Sequence, residues 1–425
     1  MKRRKILQLS GLAAGAPFLH QFGYTMSLKR NIKAFGKTYQ YLKDPELRQK
    51  EIGNATLTVD DAEFSGEKFE GMEWRNIVFK NCDFVGGYEI GPATSVQVTY
   101  QDCRFAAILS YGVCTNVYFQ RCAWTGRSVC VGEKGSKTTV FEDCRFEGPD
   151  SDPNHWGGAG TDGEARFLRC TAKWFNLRGA TVLQIQDSDL SQVKVWTDSK
   201  GNSGPAFTSS EVLIEKCRLR GLFDMSATDL ESLTIRDTQI DKLDLSTNAT
   251  VKGDVLLERV QAECLLIALT RGAGSFTLRD SRVTGREDES IRVSAGSFKR
   301  VLIENVEFSD DIRRRAIIGG GFRPDDKEPQ PVLTESVTFR NVKARVLRSG
   351  RLNTDELQVI GCTFTHAEFQ ESRIGRIEMR GNIISNSLNF TNTQAREQKI
   401  DLRAGGGLTG RADKLGGSNI RLQPR

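Results

Sequence analysis

One phrase of eight residues, apolar-x-apolar-x-polar-Cys-x-apolar, returns fifteen times in this 425-residue chain. Ile77-x-Phe79-x-Asn81-Cys82-x-Phe84 is one copy and Val98-x-Tyr100-x-Asp102-Cys103-x-Phe105 the next. The Cys slot is filled in turn by Ala62, Cys82, Cys103, Cys122, Cys144, Cys170, Ser188, Cys217, Thr238, Val260, Ser281, Val306, Val342, Cys362 and Asn382. Most intervals are 18 to 22 residues; four are longer, at 26, 29, 25 and 36. A period near 20 marks a solenoid, because so short a unit cannot bury an apolar face alone and must stack on its neighbours. Apolar residues two apart ask for strands, in which alternate side chains share one face. The residue before the slot is Asp, Asn or Gly in eleven of the fifteen coils, and these types tolerate the left-handed backbone of a one-residue bend. Each phrase therefore reads as strand, sharp corner, strand. The expected fold class is all-β, a right-handed parallel β-helix solenoid of about 15 coils with a short N-terminal helical cap. Stacked at strand spacing, such coils make a rod roughly 70 Å long.

A finer period of five runs through several stretches. Phe64, Phe69, Trp74, Phe79 and Phe84 fall five apart, as do Val359, Phe364, Phe369, Ile374, Met379 and Ile384. Units such as Cys82-Asp83-Phe84-Val85-Gly86 and Cys144-Arg145-Phe146-Glu147-Gly148 make the chain resemble the pentapeptide-repeat family, scattered over residues 57–390. That resemblance implies a four-sided helix with five residues per side. The strand–Asn bend–strand phrase also resembles the three-sided helix of pectate-lyase-like proteins, which tolerates long loops. The number of sides stays open at this point.

The ends read differently from the middle. Arg3-Arg4-Lys5-Ile6-Leu7 and the apolar run ending near Leu19 resemble a bacterial twin-arginine export signal. This implies a periplasmic or secreted protein exported already folded. The apolar run is too short for a membrane span, which needs about 20 residues. Residues 1–23 are thus expected to be the signal and 24–56 the cap. Leu28, Ile32, Phe35, Tyr39 and Leu42 follow helical spacing until Pro45 interrupts. Residues 57–390 form the β-helix, and 391–425 a partial coil started by Ile400 and Leu402, followed by a Gly-rich tail.

Charge narrows the partners. Of 60 basic and 54 acidic residues, four basic ones sit in the signal, and the remainder is close to neutral. That excludes an electrostatic nucleic-acid footprint and the acidic rod that nucleic-acid mimicry requires. Of ten cysteines, seven occupy the slot. Their Cβ vectors run parallel from coil to coil, which suits small buried thiols rather than disulfides, and no His shares their register to complete a metal site.

Candidate chemistry lies on the outside. After the second strand most coils carry another apolar-x-apolar pair, whose middle residue should face outward. Read along the rod these are Asn176, Lys194, Asp224, Asp244, Leu266 and Arg292. Asp224 and Asp244 should lie about 5 Å apart on adjacent strands, close enough to share a proton or hold a cation. Lys194 and Arg292 could receive an acidic sugar or stabilise developing negative charge. His155 and Trp156, in a long Gly-rich interval, could stack on a sugar, and with Asn176 they are the expected ligand-binding residues. The bland reading of the same ladder is a solvated mixed-charge surface. No metal is expected in the protein, although Ca2+ could join the carboxylates if the ladder is catalytic. The function expected first is a non-catalytic exported scaffold that binds a cell-envelope component, polysaccharide or protein. The alternative is a lyase, hydrolase or epimerase acting on an acidic glycan, with Lys194, Asp224, Asp244 and Arg292 as its catalytic set. The familiar motifs of hydrolases, zinc proteases, phosphate-binding loops and EF-hands are missing from the chain.

Overall fold

A computed structural model describes residues 29–402 apart from 87–90, 107–108, 126–128, 132–134, 148–156, 161–162, 174, 179, 197–209, 227, 247–248, 270, 273, 286–288, 295–297, 310–314 and 320–333. Nearly all the strands belong to one 35-stranded sheet. Neighbouring strands run parallel, each coil laid on the one before: Ile77 pairs with Val98, Val98 with Val117 and Val117 with Thr139. The chain is the expected parallel β-helix. It makes about 12 turns rather than about 15. Fifteen phrases bound only fourteen intervals, and several of these include residues outside the described set.

The corners form where the phrase demands them. All fifteen residues before the slot have a left-handed backbone, with φ from 47° at Asn81 to 65° at Gly361 and Gly381. In the first coil Asp61, Gly66, Gly71, Asn76 and Asn81 all have positive φ, which divides twenty residues into four sides of five. Inward positions in residues 362–384 follow the matching rhythm of two and three: Cys362, Phe364, Ala367, Phe369, Ser372, Ile374, Ile377, Met379, Asn382 and Ile384 are buried. In these coils the open question of side number resolves to four.

All fifteen slot residues are buried, none more than 7% exposed. The slot does more than fill space. Each slot thiol lies against the carbonyl two residues back, as Cys82 does with Lys80 O at 3.2 Å and Cys217 with Glu215 O at 3.1 Å. Where a polar residue replaces Cys, it bridges two coils. Ser188 Oγ donates to Gln186 O at 2.7 Å and accepts from Cys170 N–H at 3.0 Å. Asn382 does the same with Val359 O at 2.7 Å and Cys362 N–H at 2.8 Å. The sharp corner would otherwise leave backbone groups buried and underused, at a cost of about 1–3 kcal/mol each. The nine described cysteines are free buried thiols. Burial pushes Cys217 and Cys362 up to about 11 and holds Cys122 and Cys170 well above the ordinary thiol value.

Two aromatic columns fill the first coils. Phe64, Phe84, Phe105, Trp124 and Phe146 stack with centroids 4.5, 4.9, 4.9 and 4.7 Å apart. Beside them Phe79, Tyr100, Phe119, Phe141 and Phe167 stack at 4.9, 4.8, 4.9 and 4.8 Å. The columns meet edge to face, as between Phe119 and Trp124 at 5.2 Å and 60°, the arrangement that ring quadrupoles favour. Farther along, Leu, Ile and Val take over the same positions.

The N-terminal cover is built as the spacing suggests. Arg30 and Asn31 add a short strand beside Ala62 and Glu63. Helices Lys37–Lys43 and Pro45–Ile52 follow, separated by Asp44, whose carboxylate accepts from Leu47 N–H at 2.8 Å. Pro45 stands at the first helical position, where its missing N–H costs nothing. Ile32 and Leu42 are fully buried. Trp74 Nε1 donates to Leu42 O at 3.2 Å and Arg48 Nη2 to Asn76 O at 3.1 Å, locking the helices to the first coil. At the other end strand Gln394–Leu402 pairs on the preceding coil with Ile400 against Met379, the expected partial coil. Among the described residues no helix is long and apolar enough to cross a membrane.

Candidate functional site

The outer face singled out from the sequence forms a continuous ladder. Asn176 pairs with Lys194, Lys194 with Asp224, Asp224 with Asp244, Asp244 with Leu266, and Leu266 with Arg292. The flanking residues Phe223, Met225, Leu243, Leu245, Ile291 and Val293 are buried, whereas Asp224 and Asp244 are half-buried and Arg292 is exposed. Alternation along each strand thus turns the polar side chains outward. Asp224 and Asp244 sit on adjacent rungs, about 4.8 Å apart by strand spacing. Each is engaged by its own turn. Asp224 Oδ1 accepts from Ser226 N–H at 2.9 Å, and Asp244 Oδ1 accepts from the Ser246 hydroxyl. Both are Asp-x-Ser turns, in which a carboxylate bonds two residues ahead and ends the strand. Asp224 and Arg292 have further partners.

The other expected site residues lie beyond what the structure describes. Lys194 and Asn176 occupy their rungs by backbone, but their side chains fall outside the described residues, as do His155 and Trp156 entirely. Most of each long interval is outside them too, so whether those segments wall one side of the ladder is also outside. Among the described residues no group of three or more His, Cys, Asp or Glu side chains is arranged to hold a metal ion.

The strongest electrostatic pattern is at the corners. Asp102, Arg121, Asp143, Arg169, Asp187, Lys216, Asp237, Arg259 and Asp280 stand at successive left-handed corners, and their charge alternates at every step. Arg121 holds Asp102 through two bonds of 2.8 Å. Arg169 holds Asp143 at 2.7 and 3.1 Å, and Arg259 holds Asp237 at 2.6 and 2.9 Å. The residue before each corner forms a second column, and through Glu215, Arg236, Glu258 and Arg279 it alternates in the opposite phase. The outcome is a checkerboard. Glu215 meets Arg236 at 3.0 Å, while Glu258 meets Arg259 at 3.0 Å and Arg279 at 2.5 Å. The guanidinium of Arg259 beside Asp237 holds that carboxyl below the usual range, and Arg236 does so for Glu215. The signal for this array was in the sequence. The four corners that are not Asp, Asn or Gly are all basic, at Arg121, Arg169, Lys216 and Arg259, each set between two Asp coils.

No family model matches this chain, and no curated protein or solved structure matches it either.

Proposed function

We propose that the protein is an exported β-helix scaffold whose long outer faces bind a cell-envelope component, polysaccharide or protein, without transforming it. The observation that carries this reading is the checkerboard of mutually paired charges along the corners. Charges that are paired within the rod keep it soluble and rigid and present no strong net field to a nucleic acid or a membrane. The Asp-x-Ser turns at Asp224 and Asp244 support a structural use of those carboxylates. The five-residue sides and the two-and-three inward rhythm support coils of the pentapeptide-repeat type, and the paired arginines near the N-terminus support export by the twin-arginine route.

One observation favours a second reading, a glycan-modifying enzyme: the ladder brings Lys194, Asp224, Asp244 and Arg292 into a single file. A glycan-array assay followed by product analysis on every glycan that binds separates the two. The scaffold reading expects retention of a glycan or envelope protein with no change in its mass or linkage. Turnover that disappears in the Asp224→Ala, Asp244→Ala double variant, with folding intact, overturns it in favour of the enzyme. Loss of turnover is informative here because both side chains face outward and their removal leaves the core untouched.

A further inference from the structure

The last coils keep a strict beat. Left-handed corners fall at Asn341, Arg351, Gly361, Glu371 and Gly381, ten residues apart, and the next comes one residue late, at Asn392. The extra residue is a β-bulge. Phe364 pairs with Ile384 but His366 pairs with Ser387, so two steps on one strand face three on the next. Bulges re-aim side chains and are common beside active sites. This one brings Asn386 and Ser387 onto both ring nitrogens of His366. Nδ1 lies 2.8 Å from Ser387 Oγ, and Nε2 lies 3.3 Å from the Asn386 side-chain amide. His366 and Ser387 are half-buried and Asn386 is exposed. His366 is the one histidine among the described residues.

A hydroxyl, an imidazole and a third group on the far ring nitrogen form the arrangement that activates a nucleophile. A half-turn of the amide presents Asn386 Oδ1 to Nε2–H. That orientation fixes the tautomer whose Nδ1 lone pair faces the Ser387 hydroxyl. We propose that Ser387 is a nucleophile, His366 its general base and Asn386 the positioning residue, acting on a small carboxylic ester. The outward neighbours Thr365, Ser385 and Asn389 are polar and uncharged, which suits an O-acyl group carried on a hydroxyl-rich polymer. The proposal stands on this corner alone and does not depend on the scaffold reading.

In the first step Ser387 Oγ attacks the carbonyl carbon as its proton passes to Nδ1. The bond from that carbon to the alcohol oxygen then breaks, and the alcohol takes the proton from Nδ1. Water attacks the resulting acyl-serine with the same base, and Ser387 recovers its proton as the acid leaves. No oxidant, metal or further co-reactant enters.

The test is labelling of the full-length protein with a fluorophosphonate probe, read by peptide mass spectrometry, with p-nitrophenyl acetate hydrolysis beside it. Ser385, exposed on the same bulge without a histidine contact, is the internal control. The expected result is an adduct on Ser387 and none on Ser385. Hydrolysis should fall about 100-fold or more in Ser387→Ala and in His366→Gln. Asn386→Leu should lose labelling, while Asn386→Asp, which keeps an acceptor on Nε2, retains it. No adduct on Ser387 in the folded wild-type protein, equal labelling of Ser385 and Ser387, or labelling indifferent to His366→Gln would each overturn the proposal.

Discussion

The buried thiols give the fold a weakness toward base that can be worked through in numbers. Cys217 and Cys362 are held at about 11 in the folded rod, against about 8.5 for a cysteine in an unfolded chain. Below pH 8.5 both states keep the proton and stability does not change with pH. Above it the unfolded chain ionises while the folded one cannot, so stability falls by about 1.4 kcal/mol per pH unit per thiol until the folded value is reached. At pH 10 each thiol has cost about 2 kcal/mol, and the pair about 4 kcal/mol. Replacing both with Ser removes this dependence without emptying the slot, because Ser188 and Ser281 already fill it elsewhere and bond the corner carbonyl at 2.7 and 2.6 Å. Urea denaturation followed by circular dichroism at pH 7 and pH 10 measures the effect. The Cys217→Ser, Cys362→Ser protein should lose about 4 kcal/mol less than the wild type between the two pH values. If it loses just as much, the thiols are ionising freely in the folded state and the account of the slot as a desolvated column is wrong.

Two further outcomes follow from packing and charge. Trp124→Ala, which removes a ring stacked 4.9 Å from Phe105 and 4.7 Å from Phe146, should cost about 3–5 kcal/mol in the same urea assay. Arg259→Ala should lower the melting temperature slightly at low ionic strength, an effect that fades in about 1 M salt, where screening acts within about 3 Å. Arg259→Gly should be the milder change, since φ at this corner is 50° and glycine adopts it without strain.

The core was legible residue by residue because a solenoid repeats one environment. Once the period was found, Cys82 or Ile235 had to point inward and Asp224 outward, and the rung order from Asn176 to Arg292 followed from strand pairing alone. The bonding duty of the slot was less visible. Ser188, Thr238 and Asn382 look like lapses in an apolar column until their contacts with corner N–H and C=O groups are seen. The checkerboard escaped a reading that counted the eleven corners obeying the Asp, Asn or Gly rule, since the information lay in the four that broke it. The bulge at Ser385 and Asn386 was hidden for a different reason. One extra residue falls well inside the ordinary 18 to 22 spread of coil lengths, so only the pairing register reveals it. For Asp224 and Asp244 the sequence predicted proximity but not the turns that occupy them, because a carboxylate bonding two residues ahead leaves no trace in a 20-residue period.

The aromatic columns also make the rod optically lopsided. All five tryptophans, at 74, 124, 156, 174 and 196, fall in the first half of the chain, so intrinsic fluorescence sees that half and is nearly blind to the coils beyond. Far-ultraviolet dichroism, by contrast, counts strands along the whole length. A solenoid holds together through neighbour contacts and need not melt as one unit. The two signals recorded on one sample therefore act as a ruler for the direction of unzipping. Dichroism that decays ahead of fluorescence marks a rod opening from its C-terminal end, and the reverse order marks failure beneath the helical cap.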